Sequence, residues 1–133
     1  MSVTLRRIAD AIEAILEDKV PEIPWQYAVL GPVFPKTLTG YICCNEIKYD
    51  PFVKSDNIAV ASFAIQIICP NTQKGDATAV ENYAMKVRET LGAERTLDGW
   101  AEDSLVQAIV FGTPAGSQNI GIAVIDFTVK YEE

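Results

Sequence analysis

The chain contains no histidine among its 133 residues. Histidine is the commonest general base near neutral pH, and its ring nitrogens hold most catalytic zinc ions. Any chemistry would therefore fall to carboxylates, thiols or hydroxyls. Carboxylate pairs that are close in sequence exist, such as Asp98 with Glu102, Glu102 with Asp103, and Glu132 with Glu133. Each pair lies in a predicted turn or at the chain end, where solvated charge is the usual role, so none predicts a catalytic site.

A second group of carboxylates flanks a polar segment that could surround a cation. Glu46, Asp50 and Asp56 would meet if the segment between them folded back. Their spacing does not match that of an EF-hand calcium loop, and Lys48 and Lys54 would repel the ion. The sequence therefore predicts no metal site and no cofactor.

The candidate nucleophiles lack the partners that would activate them. Cys43 and Cys44 are adjacent on a predicted strand, so their side chains point to opposite faces, and no nearby residue is expected to lower their pKa. Ser62 has no base beside it. The segment Gly112–Gln118 has the glycines of a phosphate loop, but it lacks the lysine and lies between two strands. We therefore expect a protein that is not an enzyme.

Composition limits the remaining classes. The length and the 49% hydrophobic content predict a single domain over residues 1–133. A net charge of −7 argues against binding to phosphate backbones, which needs clustered Lys and Arg. No apolar run reaches the ~18 residues of a membrane span, and the N-terminal segment lacks the apolar core of a signal peptide. These features predict a protein made and kept in a cytoplasm.

The chain is organised around a long apolar strand from Ile58 to Cys69, which Pro70 ends because proline cannot donate to a sheet ladder. If regular, this strand would span about 40 Å, against a domain diameter of roughly 36 Å, so it should bend or project. A helix follows, capped by Asp76 and closed by Gly92. Its apolar residues recur at helical spacing: Val80, Tyr83, Ala84, Val87 and Leu91.

The other elements pair beside that strand or pack on it. They are a helix from Val3 to Asp18 and strands at Trp25–Leu30, Leu38–Ile47, Ser104–Phe111 and Ile120–Tyr131. In the fourth of the five strands, Leu105, Ile109 and Phe111 are predicted to share one face. In the last, Ala123 through Tyr131 alternates plainly between apolar and polar residues. The predicted fold class is α+β: a mostly antiparallel sheet of about five strands with two helices on one face, in the order α-β-β-β-α-β-β.

Three segments carry a resemblance to a known family. They are the opening helix Leu5-Arg-Arg-Ile8 to Ile15-Leu16, the passage Asn82-Tyr-Ala-Met-Lys-Val87 to Leu91, and the closing strand Ile125-Asp-Phe-Thr-Val-Lys-Tyr131. With the element order and the small acidic chain, they resemble the tail terminator and neck (head-tail joining) proteins of long-tailed bacteriophages. The similarity covers nearly the whole length as a pattern of elements rather than as a motif.

The resemblance implies a structural protein of the virion tail of a phage or prophage, assembled in the bacterial host cytoplasm. Such proteins form a ring of copies, typically a hexamer, that caps the tail tube and joins it to the head. The implied partners are other copies of the chain, the tail tube protein and the head-tail connector protein, with no specific nucleic-acid binding and no membrane. The family has no catalytic residues to transfer.

The polar loop from Lys48 to Asn57 is not something the family requires. We predict from its length and exposure that it contacts a neighbouring subunit or the tube. The residues expected to make this contact are Lys48, Tyr49, Asp50, Phe52, Lys54 and Asp56.

Two other functional classes remain open. A small-ligand-binding or regulatory module of ferredoxin-like build, usually dimeric, would show a concave apolar pocket with a few polar groups. An enzyme would need a catalytic set that the sequence does not display.

Overall fold

The order of helices and strands is α-β-β-β-α-β-β, and the fold is α+β, as predicted. The computed structural model describes residues 2–29, 35–49, 57–70, 78–113 and 120–133. Its elements are α1 (Leu5–Lys19), β1 (Trp25–Tyr27), β2 (Thr39–Tyr49), β3 (Ile58–Pro70), α2 (Thr78–Gly92), β4 (Asp103–Gly112) and β5 (Ile120–Glu132). In these segments, no helix is long and apolar enough to cross a membrane.

The five strands form one mixed sheet in the order β1-β2-β3-β5-β4. Only β1 and β2 are parallel, and the other three pairs are antiparallel. The predicted central strand, β3, lies in the middle and pairs with β5 along its whole length, from Ile58 opposite Glu132 to Pro70 opposite Ile120. It therefore does not project alone from the sheet. Pro70 is its last residue, where the missing N–H costs least.

Both helices cover the same face of the sheet. The residues of that face alternate along β3 and β5, and each is fully buried: Ala59, Ala61, Phe63, Ile65 and Ile67 with Ala123, Ile125, Phe127, Val129 and Tyr131. The β5 alternation is the one that the sequence predicts. The helices add their apolar stripes to this layer: Ile8, Ile12 and Leu16 from α1, and Val80, Ala84, Val87 and Leu91 from α2. The core is thus a single layer between helices and sheet.

The first helix begins one turn after the chain start because Thr4 caps it. Thr4 is extended, and its Oγ1 accepts a hydrogen bond from the backbone N–H of Arg7 at 3.2 Å. Two apolar residues of this helix, Leu5 and Ile15, are only partly buried against the core. The helix ends at Lys19, followed by Val20, whose N–H donates to the carbonyl of Leu16. Asp76, the predicted cap of α2, lies outside the described residues.

The short first strand is held in place by Trp25. Its indole N–H donates to the carbonyl of Val20 at 3.1 Å, and its ring packs directly on Gly40 of the adjoining strand. Gly40 is needed because any Cβ there would overlap the Trp25 ring. The strand is shorter than predicted, ending at Tyr27 instead of Leu30, which lies outside the described residues.

Two bulges change the faces predicted for the edge regions. In β2 the register shifts between Cys44 and Glu46, and in β4 it shifts between Val106 and Ala108. Because a bulge inserts one extra residue, the residues before and after it exchange faces. Leu105 therefore lies on the face opposite the helices, and the prediction that it shares a face with Ile109 and Phe111 is wrong.

Candidate assembly surface

The sheet face opposite the helices carries many apolar side chains. We call it the helix-free face. The register assigns it these residues: Thr39, Tyr41, Cys43, Glu46 and Lys48 of β2, Val60, Ser62, Ala64, Gln66 and Ile68 of β3, Ile122, Val124, Asp126, Thr128 and Lys130 of β5, and Asp103, Leu105, Ala108, Val110 and Gly112 of β4. No described helix packs on this face, and Ala64 and Ile68 are buried yet belong to a layer separate from the helix-side core. Contiguous apolar surface of this kind marks contact sites in soluble proteins.

The apolar surface is concentrated where Tyr41, Gln66, Val124 and Val110 lie side by side across four strands. Val110, at the outer end of this row, is 65% exposed. The acidic residue Asp126 lies one row further on. A partner with an apolar, uncharged surface would fit this row best.

The strand β4 forms one edge of the sheet, and among the described residues it lacks most of the usual protection of an edge. Soluble proteins protect edge strands with Lys, Pro, bulges or a covering element. Between Ser104 and Gly112 this strand has no charged residue and no proline, and one bulge is its only such device. Leu105 and Phe111 are 47% and 43% exposed. The edge therefore offers both unpaired backbone groups and apolar side chains to a partner.

The opposite edge is only partly covered. The strand β1 pairs with Gly40, Tyr41 and Ile42 alone, and one further bond joins the Ala28 N–H to the Ile42 carbonyl. From residue 44 to residue 49, β2 has β3 as its one strand partner within the segments that the structure describes. The charges here compensate each other, since Lys48 Nζ lies 3.4 Å from Glu46 Oε1.

Two of the six predicted contact residues lie at this edge. Lys48 and Tyr49 are the last residues of β2 and not part of a loop, so the strand ends two residues later than predicted. Both side chains are exposed. Asp50, Phe52, Lys54 and Asp56 lie outside the described residues.

The end of β2 is tied to the end of the chain. The hydroxyl of Tyr49 donates to Glu133 Oε1 at 2.7 Å, and that of the buried Tyr131 donates to the same atom at 3.3 Å. The bond to the Glu133 carboxylate raises the pKa of Tyr49. Burial, with the Glu133 charge adding to it, raises the pKa of Tyr131 far above its ordinary value. Both phenols are therefore neutral donors, which suits a structural clamp rather than an acid–base role.

Two of the carboxylates considered for chemistry, Asp103 and Glu102, are engaged in ion pairs. Asp103 accepts two hydrogen bonds from the Arg95 guanidinium, at 2.9 and 2.6 Å, and this contact lowers the pKa of Asp103. Glu102 lies 3.6 Å from Lys130 Nζ. No group of three metal-ligating side chains occurs among the described residues. These pairs fix the start of β4 and leave its outer edge neutral.

The described thiols lack the environment of a reactive cysteine. Burial raises the pKa of Cys44 and of Cys69, which disfavours the nucleophilic thiolate. Cys43 and Cys44 pair opposite Ala64 and Phe63, so they lie on different faces, as predicted.

An open groove of about 430 Å³ lies between α1 and the turn that follows α2. The Arg7 guanidinium stacks over the Trp100 ring at 4.4 Å and forms part of its wall, and Asp10, Asp18 and Asp98 add charge. A ligand-binding module would be expected to show a concave apolar pocket, which this charged groove is not.

No family model and no curated protein sequence matches the chain.

The edge position of β4 and the helix-free face were not predicted from the sequence. One signal was present: the predicted strand from Ser104 to Phe111 contains no charged residue. The position of that strand at the edge depends on pairings far apart in sequence, which local patterns do not report.

Proposed function

We propose that the chain is a non-catalytic structural protein that works by assembling with copies of itself. The observation that carries this proposal is the unprotected edge of β4, with its exposed Leu105, Val110 and Phe111, beside the apolar helix-free face. An isolated soluble protein would gain by protecting such an edge, because unpaired strands invite further pairing. A self-assembling protein uses the same edge for its contacts.

The assembly that fits the resemblance of the sequence is a ring that acts as the tail terminator of a phage or prophage. In this proposal the ring, a hexamer in related systems, caps the tail tube and joins it to the head-tail connector in the virion. The α+β order of the elements and the acidic chain support it. Contacts that run head to tail close into a ring when the rotation between copies allows it.

The charge of the chain also fits this role. A ring built from copies that each carry −7 would present an acidic surface to DNA passing through its centre. Such a surface repels the phosphate backbone and prevents adhesion during passage. The absence of histidine and the pairing of Asp103 and Glu102 with basic residues agree with a role without catalysis.

The test is to mix the purified chain with tail tubes of the same phage or prophage and to examine the tube ends by electron microscopy. The proposal expects the chain at tube ends and a stop to further tube growth. Tubes that keep growing with bare ends would contradict it.

One observation favours a second candidate, a regulatory module that binds a small ligand. The groove beside Arg7 and Trp100 has the volume of a small-molecule site, although its rim is charged. Thermal-shift screening against metabolites would support this candidate if a ligand raised the melting temperature and if Trp100→Ala removed the effect.

A further inference from the structure

The two edges of the sheet run in opposite directions. In the order β1-β2-β3-β5-β4, each of the three pairs from β2 to β4 is antiparallel, so β4 is antiparallel to β2. If a second copy is placed beside the first by a shift across the sheet, the edge of β4 meets β2 of the neighbour as an antiparallel pair. The helices of both copies then stay on the same side.

Both edges are electrically neutral, which matters for two copies that each carry −7. Residues 104–112 of β4 include no charged side chain, and the exposed end of β2 has Glu46 balanced by Lys48 at 3.4 Å. Like-charged molecules repel over the Debye length of about 8 Å at physiological salt. They approach most easily where the local net charge is zero, and these two edges meet that condition.

We propose that a second copy of this chain docks on the β4 edge through residues 44–49 of its β2, so that one sheet continues from copy to copy. This inference rests on the proposed assembly function and specifies its contact. Leu105 and Val110 on the helix-free side of β4 would be covered by the neighbouring strand and its side chains. Tyr49, which is 53% exposed at the end of β2, would be covered by the β4 strand of the copy on which it docks.

The bulges give this contact its curvature. Each edge region contains one, at Asn45 in β2 and at Gln107 in β4, and both residues are exposed. A bulge bends its strand and increases the local twist. Copies joined through two bent edges turn relative to one another, as closure into a ring requires.

The contact is short, and its length sets the expected affinity. Six residues of strand extend about 20 Å, and the area they cover falls below the ~800 Å² per partner of a standard interface. Pairwise association is therefore weak and dependent on concentration, with a dissociation constant that we place between ~10 μM and ~1 mM.

Two lysine variants block one edge each. Gln107→Lys with Val110→Lys places charges on β4, and Asn45→Lys with Glu46→Lys places charges on β2 beside Lys48. Lysine on an edge strand opposes pairing when no opposite charge compensates it, whereas the wild-type Lys48 is paired with Glu46. The control is Ala79→Lys with Glu89→Lys on the exposed side of α2, which changes the charge as much as the β2 variant does. All three variants bring the net charge closer to zero, so a loss of association cannot come from general repulsion.

Sedimentation velocity up to about 1 mM then compares the wild-type chain, each variant alone and a 1:1 mixture of the two edge variants. We expect the wild type and the control to associate, each edge variant to be monomeric with at least tenfold weaker association, and the mixture to form a dimer and nothing larger. That dimer is specific to a head-to-tail contact, because each variant retains the edge that the other lacks.

Three results would overturn the proposal. Edge variants that associate like the wild type would show that copies meet elsewhere, which leaves the proposed function standing. A β2 variant that still dimerises while the β4 variant does not would show symmetric pairing of two β4 edges. A wild type that stays monomeric at about 1 mM would show that the edges do not pair, and binding to tube ends would then decide the proposed function separately.

Discussion

Gly40 is the residue on which the first edge of the sheet depends most. A Cβ at this position would overlap the Trp25 ring and would lie 2.9 Å from Ile23 Cγ2. The ring cannot move away cheaply because its N–H is bonded to the Val20 carbonyl. We predict that Gly40→Ala lowers the free energy of unfolding by about 2 kcal/mol, as overpacking does. Urea denaturation provides the measurement.

The matched control is Gly112→Ala, also in a strand, where an added Cβ meets nothing within 4 Å. This variant should change stability by less than about 0.5 kcal/mol. Equal losses of unfolding free energy for the two substitutions would show that the contact between Trp25 and Gly40 does not limit the size of residue 40.

The ion pair of Arg95 and Asp103 predicts a pH dependence of stability. Arg95 holds the folded-state pKa of Asp103 below its ordinary value of 3.8. The pair therefore stabilises the fold above that value, and its contribution is lost as the pH falls through the lower folded-state pKa. We predict that Asp103→Asn lowers the melting temperature at pH 7 and that the difference from wild type shrinks below pH 3.8.

Calorimetry at several pH values measures this effect, which should be small because both side chains are exposed. Arg95→Gln should reproduce the loss, and the double variant should add little, as expected for one shared interaction. A difference between wild type and Asp103→Asn that stays constant from pH 7 to below 3.8 would contradict the assignment.

At the scale of residues, the sequence predicts which side chains pack in the core better than it predicts which side chains bond to one another. Tyr83, which the helical spacing predicts for the apolar stripe of α2, packs against the core, as do Trp25 and Trp100. The bond from Tyr49 to Glu133 joins residues that are 84 positions apart. Nothing in the local pattern of either residue indicates the other, because the sheet alone brings them together.

At the scale of elements, β5 separates the two sides of the sheet most clearly. Ile125 is fully buried under the helices, whereas its neighbour Val124 lies on the helix-free face and is partly exposed. We predict that Ile125→Thr lowers the free energy of unfolding by about 2 kcal/mol, since it removes apolar contacts and buries a hydroxyl. Val124→Thr should cost less than about 1 kcal/mol.

Thermal unfolding of both variants, each measured at a concentration where the chain is monomeric, makes the comparison. A larger loss for Val124→Thr than for Ile125→Thr would mean that the helix-free face is covered within one copy. The assembly surface would then have to lie elsewhere.

The order of the elements follows from the sequence because each one has its own period, such as the alternation along β5 and the helical stripe of α2. The bulges at Asn45 and Gln107 could not be predicted from the sequence, because a strand with one extra residue has the same kind of composition as a regular strand. It nevertheless exchanges the faces of every residue beyond it, which is why Leu105 lies away from the core. The parallel pairing of β1 was also not predicted, since three residues are too few to show a pattern.

At the scale of the whole molecule, both described helices cover one side of the sheet, and neither packs on the other. The helices bury one face in a continuous core, while the opposite face and the β4 edge keep apolar residues in contact with solvent. The sequence alone indicated assembly only through a family resemblance. The structure adds physical features that a self-assembling protein would use, at positions that the sequence analysis had not proposed.

The most direct test of the central claim is the mass of the free chain, measured by light scattering across concentration. We predict that the mass rises above 14.6 kDa and reaches a plateau at a whole-number multiple of that value, as a closed ring requires. A mass that stays at 14.6 kDa, both alone and in the presence of tail tubes, would contradict the account.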